Sequence, residues 1–272
     1  MDFSGTGQPL TPTDLETAVQ TLGLSAASDM PVLWSVLTVE SRGFGFLDSR
    51  RPKILFERHI FFRETGGKFE GAAPDLCART GGGYKGGEAE YDRLNRAIAL
   101  CKESGLAADP ALRSASWGLG QVMGFNAIAA GFKDAADMAA RMSESEGAQL
   151  AGMASFMRSA KLDAKLRGRD WTGFAKSYNG ATYWQNQYDV KLQAAFDKFS
   201  SGVERDLRAR AAQGALQFLG FKPGDPDGVI GQNTRRAVAD FRKANGPPGN
   251  ENLDDAVFAA IMAKAGLTWP GL

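Results

Sequence analysis

Asp29-Met30-Pro31-Val32-Leu33-Trp34-Ser35-Val36-Leu37-Thr38-Val39-Glu40-Ser41-Arg42-Gly43 is the stretch on which the reading of this chain turns. Ser28 or Asp29 can cap a helix by accepting from its unpaired N–H groups, and Pro31 suits a first turn that needs no N–H. Leu33, Val36 and Leu37 then share one apolar stripe, and Gly43 ends the helix. The next place on that stripe, four residues after Val36 and seven after Leu33, is Glu40. A carboxylate stands where a core residue belongs, in the last turn, where the helix dipole disfavours negative charge. Burial and dipole both raise its pKa. A carboxylic acid still protonated near neutral pH can give its proton to a poor leaving oxygen, as glycosidic cleavage requires. The plainer alternative is a glutamate that turns to solvent at a helix end.

Around this helix, helical spacing predicts Thr13 to Leu22, Ala89 to Ser104, Asp134 to Arg141, Ser143 to Leu166, Trp171 to Tyr178 and Tyr183 to Phe199. Strand signal is weak, and Lys53-Ile54-Leu55-Phe56-Glu57 is the best short strand. Residues 13–199 are therefore expected to form a mainly α body with a minor β element. Residues 1–12 form a polar, loose lead. Phe199-Ser200-Ser201-Gly202 opens a linker, placed at 200–204, and residues 205–272 form a small helical tail.

The totals exclude several classes. With 272 residues, 43% of them apolar, 17 Phe and 5 Trp, the composition is globular. Lys plus Arg is 32 and Asp plus Glu 31, so the net charge of +1 argues against nucleic acid as partner. His59 is the one histidine, which leaves little room for His-based zinc chemistry or a Ser-His-Asp arrangement; no metal and no cofactor are predicted. Cys77 and Cys101 read as two free thiols of a protein folded in a reducing cytoplasm. Met1 to Pro12 has neither the basic start nor the apolar core of a signal peptide. No run of about 18 apolar residues exists, so no membrane span or stable membrane association is expected.

A second carboxylate, Glu57, follows three apolar residues in Ile54-Leu55-Phe56-Glu57-Arg58-His59. It is either a second acidic group of a site or a structural ion pair with Arg58, Arg63 or another base. Ser116-Trp117-Gly118-Leu119-Gly120-Gln121-Val122 and Ser177-Tyr178-Asn179-Gly180 complete the set. Gly118 and Gly120 let backbone approach a sugar closely. The amides of Gln121 and Asn179 can both donate and accept, which suits hydroxyl and N-acetyl groups. Against this, Ser116 and Gln121 can simply open a helix, and Tyr178 and Asn179 can close one at Gly180.

Taken in order, Glu40-Ser41-Arg42-Gly43, the Ser116–Val122 segment and Ser177–Gly180 resemble the three motifs of goose-type lysozymes and lytic transglycosylases. Arg51 to His59, Gly82-Gly83-Tyr84 and Glu90-Tyr91-Asp92-Arg93-Leu94 look more specifically like the N-acetylmuramidase domain of phage endolysins, over about residues 13–199. The resemblance implies a lysozyme-like α+β fold with Glu40 as general acid. It implies that Glu57 steers water or stabilises positive charge, that Ser116 and Gln121 line the cleft, and that Tyr178 and Asn179 shape the sugar site. Gly120 departs from the pattern, since many relatives carry a larger side chain there. Trp117 reads as core; Tyr183 and Trp184 are either core or sugar platforms. Thr80 to Gly87 reads as a flexible loop bordering the cleft, because it lacks the ending of a phosphate loop.

In the tail, Gln217-Phe218-Leu219-Gly220 and Asp227-Gly228-Val229-Ile230-Gly231-Gln232-Asn233-Thr234 resemble the three-helix peptidoglycan-binding domain of wall hydrolases, with Phe241-Arg242 where that family often has Phe-Gln. The implied whole is a monomeric endolysin made in the cytoplasm and released to the wall. It would hydrolyse the bond between N-acetylmuramic acid and N-acetylglucosamine. A lytic transglycosylase with the same acid, and a non-catalytic wall-binding phage protein, are the other readings. A tethered tail acts through effective concentration, so its removal is expected to reduce lysis of intact wall more than cleavage of short soluble chains.

Overall fold

The computed structural model describes residues 2–41, 44–202, 205–245 and 247–271, and for Ser41 only the backbone. The order is α1 (Pro12–Thr21), α2 (Met30–Ser41), β1 (Ile54–Phe56), α3 (Arg58–Glu64), α4 (Ala89–Glu103), α5 (Asp109–Arg113), β2 (Ala115–Trp117), β3 (Val122–Met123), α6 (Ala135–Glu144), α7 (Glu146–Ser159), α8 (Asp163–Arg167), α9 (Trp171–Tyr178) and α10 (Tyr188–Ser200), followed by α11 (Leu207–Phe218), α12 (Gln232–Asn245) and α13 (Asp255–Ala265). The mainly α body with a minor β element is what the periodicity predicts. Short polar side chains start many of the helices. Thr11 and Asp14 form a reciprocal capping box at α1, and Asp134, Ser145, Asp170, Asp206 and Asp254 cap α6, α7, α9, α11 and α13.

The three strands form one antiparallel sheet in the order β1-β2-β3. Leu55 pairs with Ser116, and Ser116 with Met123. Ser116 thus sits on the central strand rather than at a helix start. Two expected helices are each divided. Ser145, in extended backbone, separates α6 from α7, and Lys161 with φ 58° ends the turn after α7, so Ser143 to Leu166 is not continuous. Gln187 with φ 52° separates a 3₁₀ turn at Tyr183–Asn186 from α10. Helix α10 runs through Phe199, which is buried, so the connection to the tail starts later than Phe199. The Gly43 stop and Val203 and Glu204 of the expected linker lie outside the described residues.

The lead over residues 1–12, expected to be loose, is pinned. Gly7 and Gln8 donate backbone hydrogen bonds to Ser143 and Glu144. Phe3 packs between Tyr91 and Trp117, with ring centroids 5.5 Å from each, and Leu10 is buried. An apolar residue in a polar stretch fixes it once a groove accepts the side chain.

Apolar packing divides into two cores. The larger one is built from Leu33, Val36, Phe56, Tyr91, Trp117 and Phe174 among others. The smaller gathers Leu216, Val238, Phe241, Phe258 and Ile261 of α11, α12 and α13. Trp117 belongs to the core, completely buried, with its indole N–H donating to the Leu112 carbonyl at 3.2 Å.

Candidate active site

Helix α2 buries Val32, Leu33, Val36 and Leu37 almost completely, and Glu40 follows on the same stripe. It is half-buried. Its Oε2 accepts from the Asn179 side-chain amide at 2.9 Å. Its Oε1 is sealed from solvent and has no hydrogen-bond partner among the described residues; the same holds for Asn179 Oδ1. Burial pushes the Glu40 carboxyl up to about 7, and the Asn179 hydrogen bond only partly opposes this. The glutamate does not turn to solvent.

Asn179 reaches Glu40 because α9 ends there. Its N–H bonds the Ala175 carbonyl as the helix cap, and Gly180 follows with φ 89°. Capping α9 and donating to Glu40 are therefore compatible for one residue. Tyr178 lies flat on Phe174, with centroids 5.3 Å apart and planes 12° from parallel. Its hydroxyl donates to the Gly120 carbonyl at 2.6 Å. Burial, and behind it the Glu40 charge, hold that phenol well above its usual value. One helix end thus bridges Glu40 to the β2–β3 turn.

That turn is closed by the other two predicted residues. Ser116 Oγ donates to Gln121 Oε1 at 2.8 Å. Gln121 Nε2 donates to the carbonyls of Lys53 at 3.1 Å and Gly118 at 2.9 Å. The oxygen end of the amide thus closes the hairpin on itself, and the nitrogen end ties it to the residue before β1. Space around the two glycines is taken by protein rather than left for a ligand. A Cβ on Gly118 would stand 2.7 Å from the Gln149 side chain, and one on Gly120 2.6 Å from Met153 Cγ. This also accounts for the departure at Gly120: Met153, arriving from α7, fills the volume that a larger side chain would occupy.

Glu57 sits at the far end of β1 from Lys53. Neither Arg58 nor Arg63 pairs with it. Arg58 binds the carbonyls of Thr80 and Gly81, and Arg63 binds Glu64. The partners of Glu57 are the Tyr84 hydroxyl, 3.1 and 2.9 Å from its two oxygens, and His59, whose Nδ1 lies 3.2 Å from Oε2. Tyr84 is 47% exposed, so its ring faces solvent while its hydroxyl holds the carboxylate. The loop carrying it, expected to be flexible, is tied at both ends, by Arg58 at Thr80 and Gly81 and by Glu90 at Lys85 and Gly86.

Glu90 and Glu146 were missed as sites of structure, yet the signal was available: each occupies an apolar stripe, as Glu40 does. Glu90 precedes Leu94, Ala97 and Cys101 on α4, and Glu146 precedes Gln149, Leu150 and Met153 on α7; both are fully buried. Their surroundings differ from those of Glu40. Glu90 faces Arg93 at 2.8 Å and the N–H groups of Phe56, Lys85 and Gly86. Burial alone would raise it, but those backbone donors and Arg93 outweigh burial and hold it below the usual range. Glu146 faces Arg210, with Nη2 2.7 Å from Oε1, and also accepts from the N–H groups of Gly45 and Leu10. Glu40 alone of the three has an oxygen left without a donor among the described residues.

In the tail, Thr234 ties α12 to α11 and to the segment that precedes the Asp227–Gly231 loop. Its hydroxyl donates to the Pro223 carbonyl and accepts from Gln213, both at 3.0 Å. Gly228 has φ 77°, and a Cβ there would meet the Asp206 carbonyl at 2.8 Å, so glycine is required. Arg242, in place of the usual glutamine, is structural: it binds Asp254 at 2.6 Å and the carbonyls of Pro247 and Pro248.

The N-acetylmuramidase family model matches residues 29–200, and a peptidoglycan binding domain model matches residues 205–261. Among solved structures, the crystal structure of Burkholderia AP3 phage endolysin matches at 39% identity, covering 71% of this chain and 72% of that one, with a TM-score of 0.63. No curated protein matches the chain. By both its sequence and its fold the chain belongs to the N-acetylmuramidase family, with a peptidoglycan-binding domain at its C-terminal end.

Proposed function

We propose that this chain hydrolyses the β-1,4 bond between N-acetylmuramic acid and N-acetylglucosamine in bacterial peptidoglycan, with Glu40 as general acid. Cell-wall hydrolysis is the activity of its family. The observation that carries the finer reading is the pairing of a pKa near 7 with a carboxyl oxygen that has no donor among the described residues. Asn179 donates to Oε2, so the proton belongs on Oε1. From there it passes to the bridging oxygen as the bond from that oxygen to the anomeric carbon breaks. Positive charge then develops on the sugar ring, and water adds at the anomeric carbon and gives a proton to solvent, from which the Glu40 carboxylate is reprotonated. Glu57, oriented by Tyr84, is the carboxylate that steers that water or offsets the charge. Asn179 Oδ1 remains to accept from a sugar hydroxyl or an N-acetyl N–H. Tyr178, Ser116 and Gln121 hold the wall of the site in place.

In this reading the chain works as a monomeric endolysin, made in the cytoplasm and acting on the wall after release. Digestion of purified peptidoglycan followed by mass spectrometry of the products tests it. Hydrolysis leaves a reducing-end muramic acid; a 1,6-anhydro sugar would instead make the chain a lytic transglycosylase using the same acid. Glu40→Gln is expected to lower the rate by two or more orders of magnitude, roughly the contribution of a positioned acid. Full activity of that variant would remove Glu40 from the chemistry and return the non-catalytic reading.

A further inference from the structure

The segment that follows the acid's helix is held from outside its own domain. Phe44 and Phe46 are buried, and both rings lie against Phe218 of α11, with centroids 5.8 and 6.1 Å away. Arg50 stacks its guanidinium over the same Phe218 at 4.9 Å and donates to the Ala265 carbonyl of α13 at 2.6 Å. Gln217 donates to Asp48. Beneath these contacts lies the Glu146–Arg210 ion pair, 0% and 3% exposed, with the Gly45 N–H on the same Glu146 oxygen as Arg210 Nη2. The Gly45 carbonyl accepts from Lys53 N–H at 2.8 Å, and the Lys53 carbonyl takes the Gln121 amide. Contacts made by the C-terminal domain therefore lead in a few bonded steps to the turn that holds Tyr178.

We propose that the C-terminal domain is a working part of the catalytic unit, with Arg210 and Phe218 as positioning residues that fix Phe44–Arg50 between the acid's helix and the β2–β3 hairpin. This rests on the reading of Glu40 as the acid and goes beyond wall attachment. A charged pair sealed on both sides joins surfaces that move together, because separating them gives up the attraction between two buried charges. A module that served only as a tether would need no such contact.

Two variants of the full chain test this on short, soluble, uncrosslinked peptidoglycan fragments, where tethering contributes nothing. Gly214→Ala acts from α11 alone: its Cβ would stand 2.8 Å from Phe44 Cζ, while alanine favours the helix it sits in. Arg210→Met removes the cation. The expected result for both is a fall in kcat of fivefold or more with KM within twofold. The alkaline limb of the kcat–pH profile should also move to lower pH, as a loosened site lets water reach Glu40. Wild-type kcat and pH profile in both variants, with loss only on intact wall, would overturn the proposal in favour of a plain tether. Should Arg210→Met fail to fold, Gly214→Ala decides, read alongside calorimetry of the wild type. One cooperative unfolding transition supports the proposal and two independent transitions oppose it. Glu40→Gln in parallel separates the two ideas. An active Glu40→Gln beside an impaired Gly214→Ala moves the acid elsewhere and keeps the coupling, whereas the reverse pattern keeps the acid and rejects the coupling.

Discussion

Glu40 is held between two opposed influences, burial that favours its neutral form and the Asn179 amide that favours its anion. Each can be removed. Asn179→Ala takes away the influence that lowers the pKa, so the alkaline limb of the kcat–pH profile should move upward; a downward move would mean that Asn179 does not act on the acid. Glu40→Gln has a consequence for stability as well as rate. The folded pKa of about 7 lies above the ordinary glutamate value of 4.5. Whatever stability the protonated group supplies is complete below about pH 4.5 and is lost as pH rises through about 7. A permanently neutral glutamine suffers no such loss. The stability difference between the variant and the wild type should therefore grow in favour of the variant across that interval, by up to about 3 kcal/mol, and then level off. Urea unfolding of both proteins from pH 4 to pH 8 measures it, and a constant difference would contradict a buried, raised carboxyl. The misplaced carboxylate on an apolar stripe was legible in the sequence. What separates Glu40 from Glu90 and Glu146 was not, because the difference lies in donors brought from distant segments: Phe56, Lys85 and Gly86 for one, Gly45 and Arg210 for the other.

At the scale of elements, the pieces that position the site are short and irregular, and these are the pieces periodicity reads worst. Trp171–Tyr178 and Ala89–Glu103 carry enough turns to show a stripe, and the spacing predicts them closely. Strands β2 and β3 span three and two residues, too few for any alternation to show, and their identity comes from pairing with β1. The 80–87 loop reads as flexible because it is rich in glycine, yet Arg58 and Glu90 fix it from chain positions that local sequence does not connect. What the loop does follows from Tyr84. Its hydroxyl is the side-chain donor that meets both oxygens of Glu57. Tyr84→Phe removes one hydrogen bond to a charged group and leaves the ring in place, so about a tenfold loss of kcat is expected, with little change in melting temperature because the ring is half out of solution. Glu57→Gln should cost more than Tyr84→Phe, and the double variant should lose little beyond Glu57→Gln alone, since the hydroxyl acts through the carboxylate. Additive losses would give Tyr84 a separate role, in which its exposed face contacts sugar directly.

For the molecule as a whole, the family resemblance of the tail invites the picture of beads on a string, and the buried contact between the domains contradicts it. Removing the tail takes away Arg210 and uncovers Phe44 and Phe46, so residues 2–202 alone should be less stable and should lose activity on soluble fragments as well as on intact wall. This reverses the expectation drawn from effective concentration alone. The sharpest check uses Glu146. In the full chain, Glu146→Gln takes a buried counter-charge away from the Arg210 guanidinium, itself 3% exposed, and breaking a buried pair on one side costs about 3–5 kcal/mol. In the truncated chain that cation is absent. There the glutamine keeps an oxygen for the Gly45 and Leu10 N–H groups that Glu146 now serves, and it removes an unpaired charge from an apolar boundary. One substitution should thus destabilise the full chain and leave the truncated chain unchanged or more stable. Thermal melts of the four proteins read the sign directly. Destabilisation of equal size in both backgrounds would mean that Glu146 serves α7 and the N-terminal lead, and that the two domains are joined by their surfaces without being bound through this pair.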